Sequence, residues 1–155
     1  MGDRNRFLIL ADFIHRNFKP CNVADVAGGN GFLSYYLNIF GFNSSVIDPR
    51  KSSLPREFRN KVKINYSNNK FTSQIASNFD LVIGLHPDGA TKEICKSALI
   101  KPIVIIPCCN YWNEEQGNNI YSKCINFLKN NRISYWETTL SMSGKNNVII
   151  TYGVK

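Results

Sequence analysis

Val23-Ala24-Asp25-Val26-Ala27-Gly28-Gly29-Asn30-Gly31-Phe32-Leu33 decides the reading of this chain. A short apolar run with strand character, residues 22–27, ends in a glycine cluster. An apolar segment at helical spacing follows over 32–39, and Gly41 closes it. Residues without a side chain let the backbone turn tightly and approach a ligand. The helix that follows presents free N–H groups at its start. Asp25, near the end of the strand, adds a carboxylate that can accept from an ammonium group or order water.

The same alternation extends outward from this segment. Residues 4–17 place Phe7, Leu8, Leu10, Ala11 and Ile14 near helical spacing, and Pro20 stops that helix. Strands are predicted over 44–47, 61–66, 79–85 and 102–106, with helices over 71–77, 90–99 and 117–131. The last helix turns Ile120, Ile125 and Leu128 inward. The runs over 79–85 and 102–106 are apolar almost throughout, which fits a sheet covered on both faces. The pattern then changes. Residues 133–140 and 148–152 are strands with no helix between them, and Ser143-Gly144-Lys145-Asn146-Asn147 makes them a hairpin. The expected architecture is α/β: a doubly wound, mostly parallel, seven-stranded sheet with helices on both faces and a C-terminal antiparallel hairpin. One domain is expected over 1–155, with the 1–19 helix as a possible lid. Ligands in such sheets sit at the carboxyl ends of the strands, near the topological switch point.

Composition narrows the classes. The chain has 155 residues, 43% of them hydrophobic, enough for one core and short for two domains of roughly 100–200 residues each. No apolar stretch approaches the roughly 20 residues of a membrane helix, and residues 7–14 lack the cleavage site of a signal peptide. Nineteen Lys and Arg against eleven Asp and Glu give a charge of +8, which favours polyanionic partners. The five cysteines are odd in number and contain no CxxC, so free thiols in a reducing cytoplasm are expected. Cys108 and Cys109 are adjacent, without zinc-finger spacing, and no metal is expected.

Twenty-three residues after Asp25, Asp48 ends the second strand. A carboxylate there can take both hydroxyls of a ribose. Two cofactor classes compete. A dinucleotide wants GxGxxG with its pyrophosphate on the helix N-terminus. Here the phase is Gly29-Asn30-Gly31-Phe32-Leu33-Ser34, so the third glycine is missing, and Asp25 would repel a pyrophosphate. A sulfonium nucleoside has a cationic amino-acid end and no phosphate, and that acid suits it.

The segment from Asp25 to Gly31 resembles the first motif of class I S-adenosylmethionine-dependent methyltransferases, with Ala27 in the first glycine slot. Asp48 resembles the ribose-binding acid of their second motif, and Phe79-Asp80-Leu81-Val82 the opening of their fourth strand. The resemblance implies the sheet order 3-2-1-4-5-7-6 and the cofactor S-adenosylmethionine. It implies that Asp25, Ala27, Gly28, Gly29, Asn30 and Gly31 hold the methionine end, Asp48 the ribose, and that Leu85 and His86 line the floor beside the sulfonium. The adenine-binding acid after the third strand is missing, leaving Asn65, Ser67, Asn68 or backbone to serve.

At the reacting end, His86 and Asp88 are the candidate catalytic groups, either able to take a proton from an acceptor. Asp88 also has the position of a helix N-cap, and His86 can instead donate to a backbone carbonyl. His86-Pro87-Asp88-Gly89 with Pro107-Cys108-Cys109-Asn110 is similar to a subgroup carrying Leu-His-x-Cys-Gly and Cys-Cys, some of whose relatives modify tRNA; Asp88 replaces the internal cysteine. Tyr111 and Trp112 offer an aromatic pair for stacking on a flat substrate or packing at the pocket mouth. Arg50, Lys51, Arg56, Arg59, Lys61 and Lys63 form a basic segment suited to a phosphate backbone or to plain solvation. The expectation is a cytoplasmic methyltransferase acting on RNA, tRNA or rRNA. The alternatives are a small-molecule acceptor and a non-catalytic methyltransferase-like subunit or RNA-binding module, for which a protein partner could supply the recognition surface.

Overall fold

The computed structural model describes residues 5–108, 112 and 119–152. In chain order the elements are α1 (Arg6–Asn17), β1 (Asn22–Val26), α2 (Phe32–Ile39), β2 (Asn43–Ile47), α3 (Arg56–Arg59), β3 (Asn65–Ser67), β4 (Leu81–Leu85), α4 (Thr91–Ser97), β5 (Ile103–Ile106), α5 (Ile120–Asn130), β6 (Trp136–Thr139) and β7 (Asn147–Ile150). They build one seven-stranded sheet in the order β3-β2-β1-β4-β5-β7-β6, the arrangement expected. The strands from β3 to β5 are parallel, while β7 runs antiparallel to both β5 and β6.

The apolar runs are continuous because the sheet is buried twice. In β4, Leu81 and Ile83 join a core with Leu10, Ala11 and Ile14 of α1 and Leu33 and Leu37 of α2. Val82, the residue between them, joins the opposite core with Ile94 and Cys95 of α4 and Cys124 and Leu128 of α5. β5 splits the same way, Val104 and Ile106 to the first core, Ile103 and Ile105 to the second. Side chains alternate across a strand, so a two-sided core requires an unbroken apolar run. Gly84 is the exception: a Cβ there would lie 2.4 Å from Ile94 Cδ1 and 3.0 Å from Pro87 Cγ.

Three local expectations shift. The third strand pairs only over Asn65–Ser67, against Ser45, Val46 and Ile47. Val62 and Ile64 keep the alternating burial, but the chain reaches β2 only at its end. The helix expected over 71–77 is a 3-10 turn, Ser73–Asn78. The basic run contains a one-turn helix, α3, fixed to α2 by Phe58, whose ring meets Phe32 and Tyr35 edge-on at 5.3 Å each.

β1 lies between β2 and β4, so the chain winds one way through β2 and β3 and the other way through β4 and β5. The carboxyl ends of β1, β2, β4 and β5 therefore meet at the switch point, carrying Asp25, Asp48, Leu85 and Cys108 to one side of the sheet.

Candidate functional site

The loop between β1 and α2 makes a close turn. Gly29 and Gly31 have φ of 57° and 96°, which their missing side chains permit. Ala27 also has positive φ, 56°. That slot of the motif therefore asks for glycine because of its backbone, and small size alone does not remove the strain. The loop is pinned from outside: Tyr66 Oη donates to the Asn30 carbonyl at 2.7 Å, and Ser52 Oγ donates to Asn30 Oδ1.

Asp25 is 1% exposed beneath this loop. A Cβ on Gly28 would fall 2.6 Å from its carboxyl carbon, so Gly28 is required by the acid below it. Ser34 Oγ donates to Asp25 Oδ2 at 2.8 Å and lies 2.7 Å from Ser44 Oγ. Because the Ser34 proton is committed to the acid, Ser44 donates to Ser34. Asn38 fixes Ser44 in turn: the Ser44 N–H donates to Asn38 Oδ1 at 2.6 Å. Burial pushes the Asp25 carboxyl up to about 7 against the Ser34 bonds, and the nearby Asp48 charge adds to the rise. Ser34 and Ser44 were not foreseen; the one signal was a serine on an otherwise apolar helix face.

Asp48 is 2% exposed and differently held. Gly29 N–H donates to Oδ2 at 3.0 Å and Arg50 N–H to Oδ1 at 2.9 Å. Arg50 Nε and Nη2 add bonds to Oδ1 and Oδ2 at 3.0 and 2.9 Å. Burial alone would raise this carboxyl, but the Arg50 side chain, then the two backbone N–H groups, hold it below the usual carboxylate range. Arg50, expected as the first cation of a free basic run, is thus clamped into the site.

Beyond β4 the chain bends at two more left-handed residues, His86 (φ 52°) and Asp88 (φ 48°). Such strain gathers at functional sites. His86 Nε2 lies 2.9 Å from the Lys145 carbonyl, so Nε2–H donates and Nδ1 keeps the lone pair in the neutral ring. Burial lowers the His86 pKa; the Lys145 carbonyl and Asp88 pull it up, and Arg6 pushes it further down. The backbone-donor role considered for His86 is therefore present, and only Nδ1 can serve as a base. Asp88 does not cap α4: its N-cap is Ala90, and Thr91 Oγ1 donates back to the Asp88 carbonyl at 2.9 Å. Instead Cys108 Sγ–H approaches Asp88 Oδ1 at 3.7 Å. Cys109, Asn110 and Tyr111 lie outside the described residues. Trp112 packs on Phe127, centroids 6.5 Å apart, on the α5 side.

These groups surround a cleft of about 850 Å³ bordered by Asp25, Ala27, Gly28, Gly29, Asn30, Leu85, His86, Asp88 and Cys108. Its outer walls are Arg6 and Phe7 of α1, Lys51 and Ser52, and Ser143 and Gly144 of the hairpin loop. The segment expected as a lid is anchored in the core by Leu10, Ala11 and Ile14, and its first turn reaches the cleft. A second cleft of about 650 Å³ shares Ala27, Arg50 and Asp88 and continues past Asp48, Pro49, Phe71 and Thr72. Asn65 and Ser67, considered for adenine, border a further depression at the sheet edge, which shares Ile47 and Lys70 with the second cleft. Pro49, which is exposed, and the edge of the buried Phe71 border this second cleft. The donor set suits a sulfonium nucleoside: a buried acid with two serine hydroxyls behind it, an acid at the next strand tip, and an apolar slot beyond. Among the described residues, no three His, Cys, Asp or Glu side chains are grouped to hold a metal, and no helix is long and apolar enough to cross a membrane.

No protein-family model and no curated protein matches the sequence. Solved structures do. A ribosomal protein L11 methylase from Lactobacillus delbrueckii subsp. bulgaricus superposes with a TM-score of 0.66 at 16% identity, over 99% of this chain and 82% of that one. A 1,6-didemethyltoxoflavin-N1-methyltransferase from Burkholderia thailandensis, solved with S-adenosylhomocysteine, gives 0.64 at 10% identity over 96% and 77%. The bifunctional kinase-methyltransferase WbdD gives 0.61 at 16% identity, with 96% of this chain covering 39% of that longer one. The chain has the Rossmann-like fold of S-adenosylmethionine-dependent methyltransferases.

Proposed function

We propose that this chain binds S-adenosylmethionine across the tips of β1 and β2 and transfers its methyl group to RNA. The observation that carries the cofactor half is the pair of buried acids, Asp25 and Asp48, on two clefts that meet at Ala27 and Arg50. S-adenosylmethionine, when bound, supplies a methyl carbon already activated by its positive sulfur. Asp25 is the partner for the ammonium of the amino-acid end, and its Ser34 bond keeps one oxygen oriented. Asp48 is the partner for the ribose hydroxyls. Leu85 and the glycine loop exclude water on either side. His86 Nδ1 takes the acceptor's proton where the attacked atom carries one, with Asp88 beside it in the cleft. Alignment of acceptor and methyl supplies most of the remaining rate.

The acceptor half rests on charge. Arg56, Arg59, Lys61 and Lys63 are exposed on and after α3, and Lys51 carries that surface to the cleft wall. A polyanion laid along α3 would reach the cleft. The walls that α1 and the hairpin loop add to the cleft favour a small-molecule acceptor as the second reading.

Calorimetry with S-adenosylhomocysteine and with NAD tests the cofactor; binding of the former alone is expected, and tighter NAD binding overturns the proposal. Transfer of labelled methyl to bulk cellular RNA, against a small-molecule extract, decides the acceptor. RNA affinity should fall steeply with salt, and a flat response refutes the RNA surface.

A further inference from the structure

A carboxylate offers about four acceptor positions on its two oxygens. At Asp48 all four are taken, by Gly29 N–H, Arg50 N–H, Arg50 Nε and Arg50 Nη2. The two backbone donors belong to the loops that shape the site and cannot withdraw without unfolding them. The two side-chain donors can: the Arg50 side chain is 66% exposed on a flexible stem. Two ribose hydroxyls need two of these positions, and they are the ones the guanidinium fork fills.

We propose that Arg50 is a displaceable plug of the ribose site: the nucleoside enters by exchange, its two hydroxyls replacing the Arg50 fork on Asp48, and the released guanidinium turns toward Asp88, an exchange that presupposes the cofactor assignment above. Asp88 is the natural destination because it and Arg50 border both clefts. After Asp48, Asp88 is also the acid whose charge bears on the Arg50 guanidinium. The two backbone N–H groups stay on Asp48 throughout and keep its oxygens aimed. Cofactor entry thereby moves a cation from the ribose side to the acceptor side, beside Lys51.

The exchange sets the sign of a mutation. A residue that helps hold the nucleoside weakens binding when removed; a plug strengthens it. In calorimetry on the full chain with S-adenosylhomocysteine as probe, Arg50→Ala should bind about five-fold tighter than wild type at low salt, the scale of a half-exposed charge pair. Arg50→Lys, with a point charge and no fork, should fall between them. Raising salt to about 0.5 M should narrow the gap by screening the pair. The Arg50 Nε–H resonance of the wild-type protein gives a readout that needs no variant: it should be protected without ligand and should shift and lose protection on saturation. Unchanged or weaker binding by Arg50→Ala, or an Nε–H signal that stays in place in the bound protein, overturns the plug alone. Absence of S-adenosylhomocysteine binding by all three proteins overturns the cofactor assignment and the plug with it.

Discussion

Asp25 and Asp48 end adjacent strands, are both shielded from solvent, and have pKa values shifted in opposite directions. Burial pushes both upward. Around Asp25 the counterweight is the Ser34 hydroxyl and the Ser34 backbone N–H, with the Ser44 hydroxyl behind them. Around Asp48 it is two backbone N–H groups and a guanidinium. Depth and donors decide the outcome together: Asp25 lies deeper than Asp48, and Asp48 has the charged donor. Asp25 is an acid short of a cation, while Asp48 already has one. A ligand with an ammonium end gains most at the first position and must compete at the second.

The largest expected effect follows from the missing cation. Asp25→Asn should lower S-adenosylhomocysteine affinity by about 2–3 kcal/mol, the worth of a hydrogen bond to a charged group. The same change should stabilise the ligand-free protein at pH 8 by about 2 kcal/mol, because no buried charge remains. Calorimetry and urea unfolding measure the two; a variant weaker in both would contradict the account. The wild-type pH dependence has a definite sign. Between the ordinary carboxylate range and about 7, folded Asp25 keeps a proton that the unfolded chain has lost. Ligand-free stability should therefore fall as pH rises across that window and level off above it. Affinity for the cofactor should rise through about 7 as the acid ionises. Asp48 contributes oppositely: its stabilisation is complete above the ordinary carboxylate range and is lost as pH falls below it.

Asp48→Ala comes next. Loss of the ribose acceptor should weaken S-adenosylhomocysteine binding by about 1–2 kcal/mol, less than at Asp25 because the Arg50 competitor loses its anchor with it. A loss larger than that of Asp25→Asn would reverse the ranking of the two acids. Ser34→Ala should act on Asp25 and leave Asp48 untouched, and it also removes the partner of the Ser44 hydroxyl. Removing a donor to the anion raises its pKa further, so the pH midpoint of cofactor binding should move upward and stability should fall by about 1 kcal/mol. A midpoint that stays fixed would mean the hydroxyl does not govern the acid.

The sequence disclosed the frame of this comparison and little of its balance. The strands, the glycine turn and the two acids at strand ends were legible because each is a local pattern: apolar runs, missing side chains, an acid where a run stops. The paired length of β3 was not, because Lys61 to Tyr66 alternate correctly, yet pairing depends on where β2 ends. The Arg50 clamp was not, because nothing local distinguishes a cation folded back two residues from one facing solvent. The hairpin loop's share in the cleft was equally hidden: the His86 bond to the Lys145 carbonyl spans 59 residues. The donors that set the chemistry of the two acids, Ser34 and Arg50, stand only nine and two residues away, but spacing does not say which side chains fold back.

Ala27 gives the smallest effect and separates geometry from charge at the site. Its φ of 56° costs an alanine roughly 1–2 kcal/mol and a glycine nearly nothing. Glycine gives back part of that gain through the freedom of the unfolded chain. Ala27→Gly should therefore stabilise the protein by about 0.5–1 kcal/mol in urea unfolding. Both acids keep their donors, since the Ala27 N–H bonds to the Ile47 carbonyl at 2.8 Å whatever the side chain. Cofactor affinity and its pH midpoint should then stay at wild-type values. A stabilised variant with shifted binding would mean that the strained turn itself tunes the acids, and the contrast between Asp25 and Asp48 would no longer reduce to their donors.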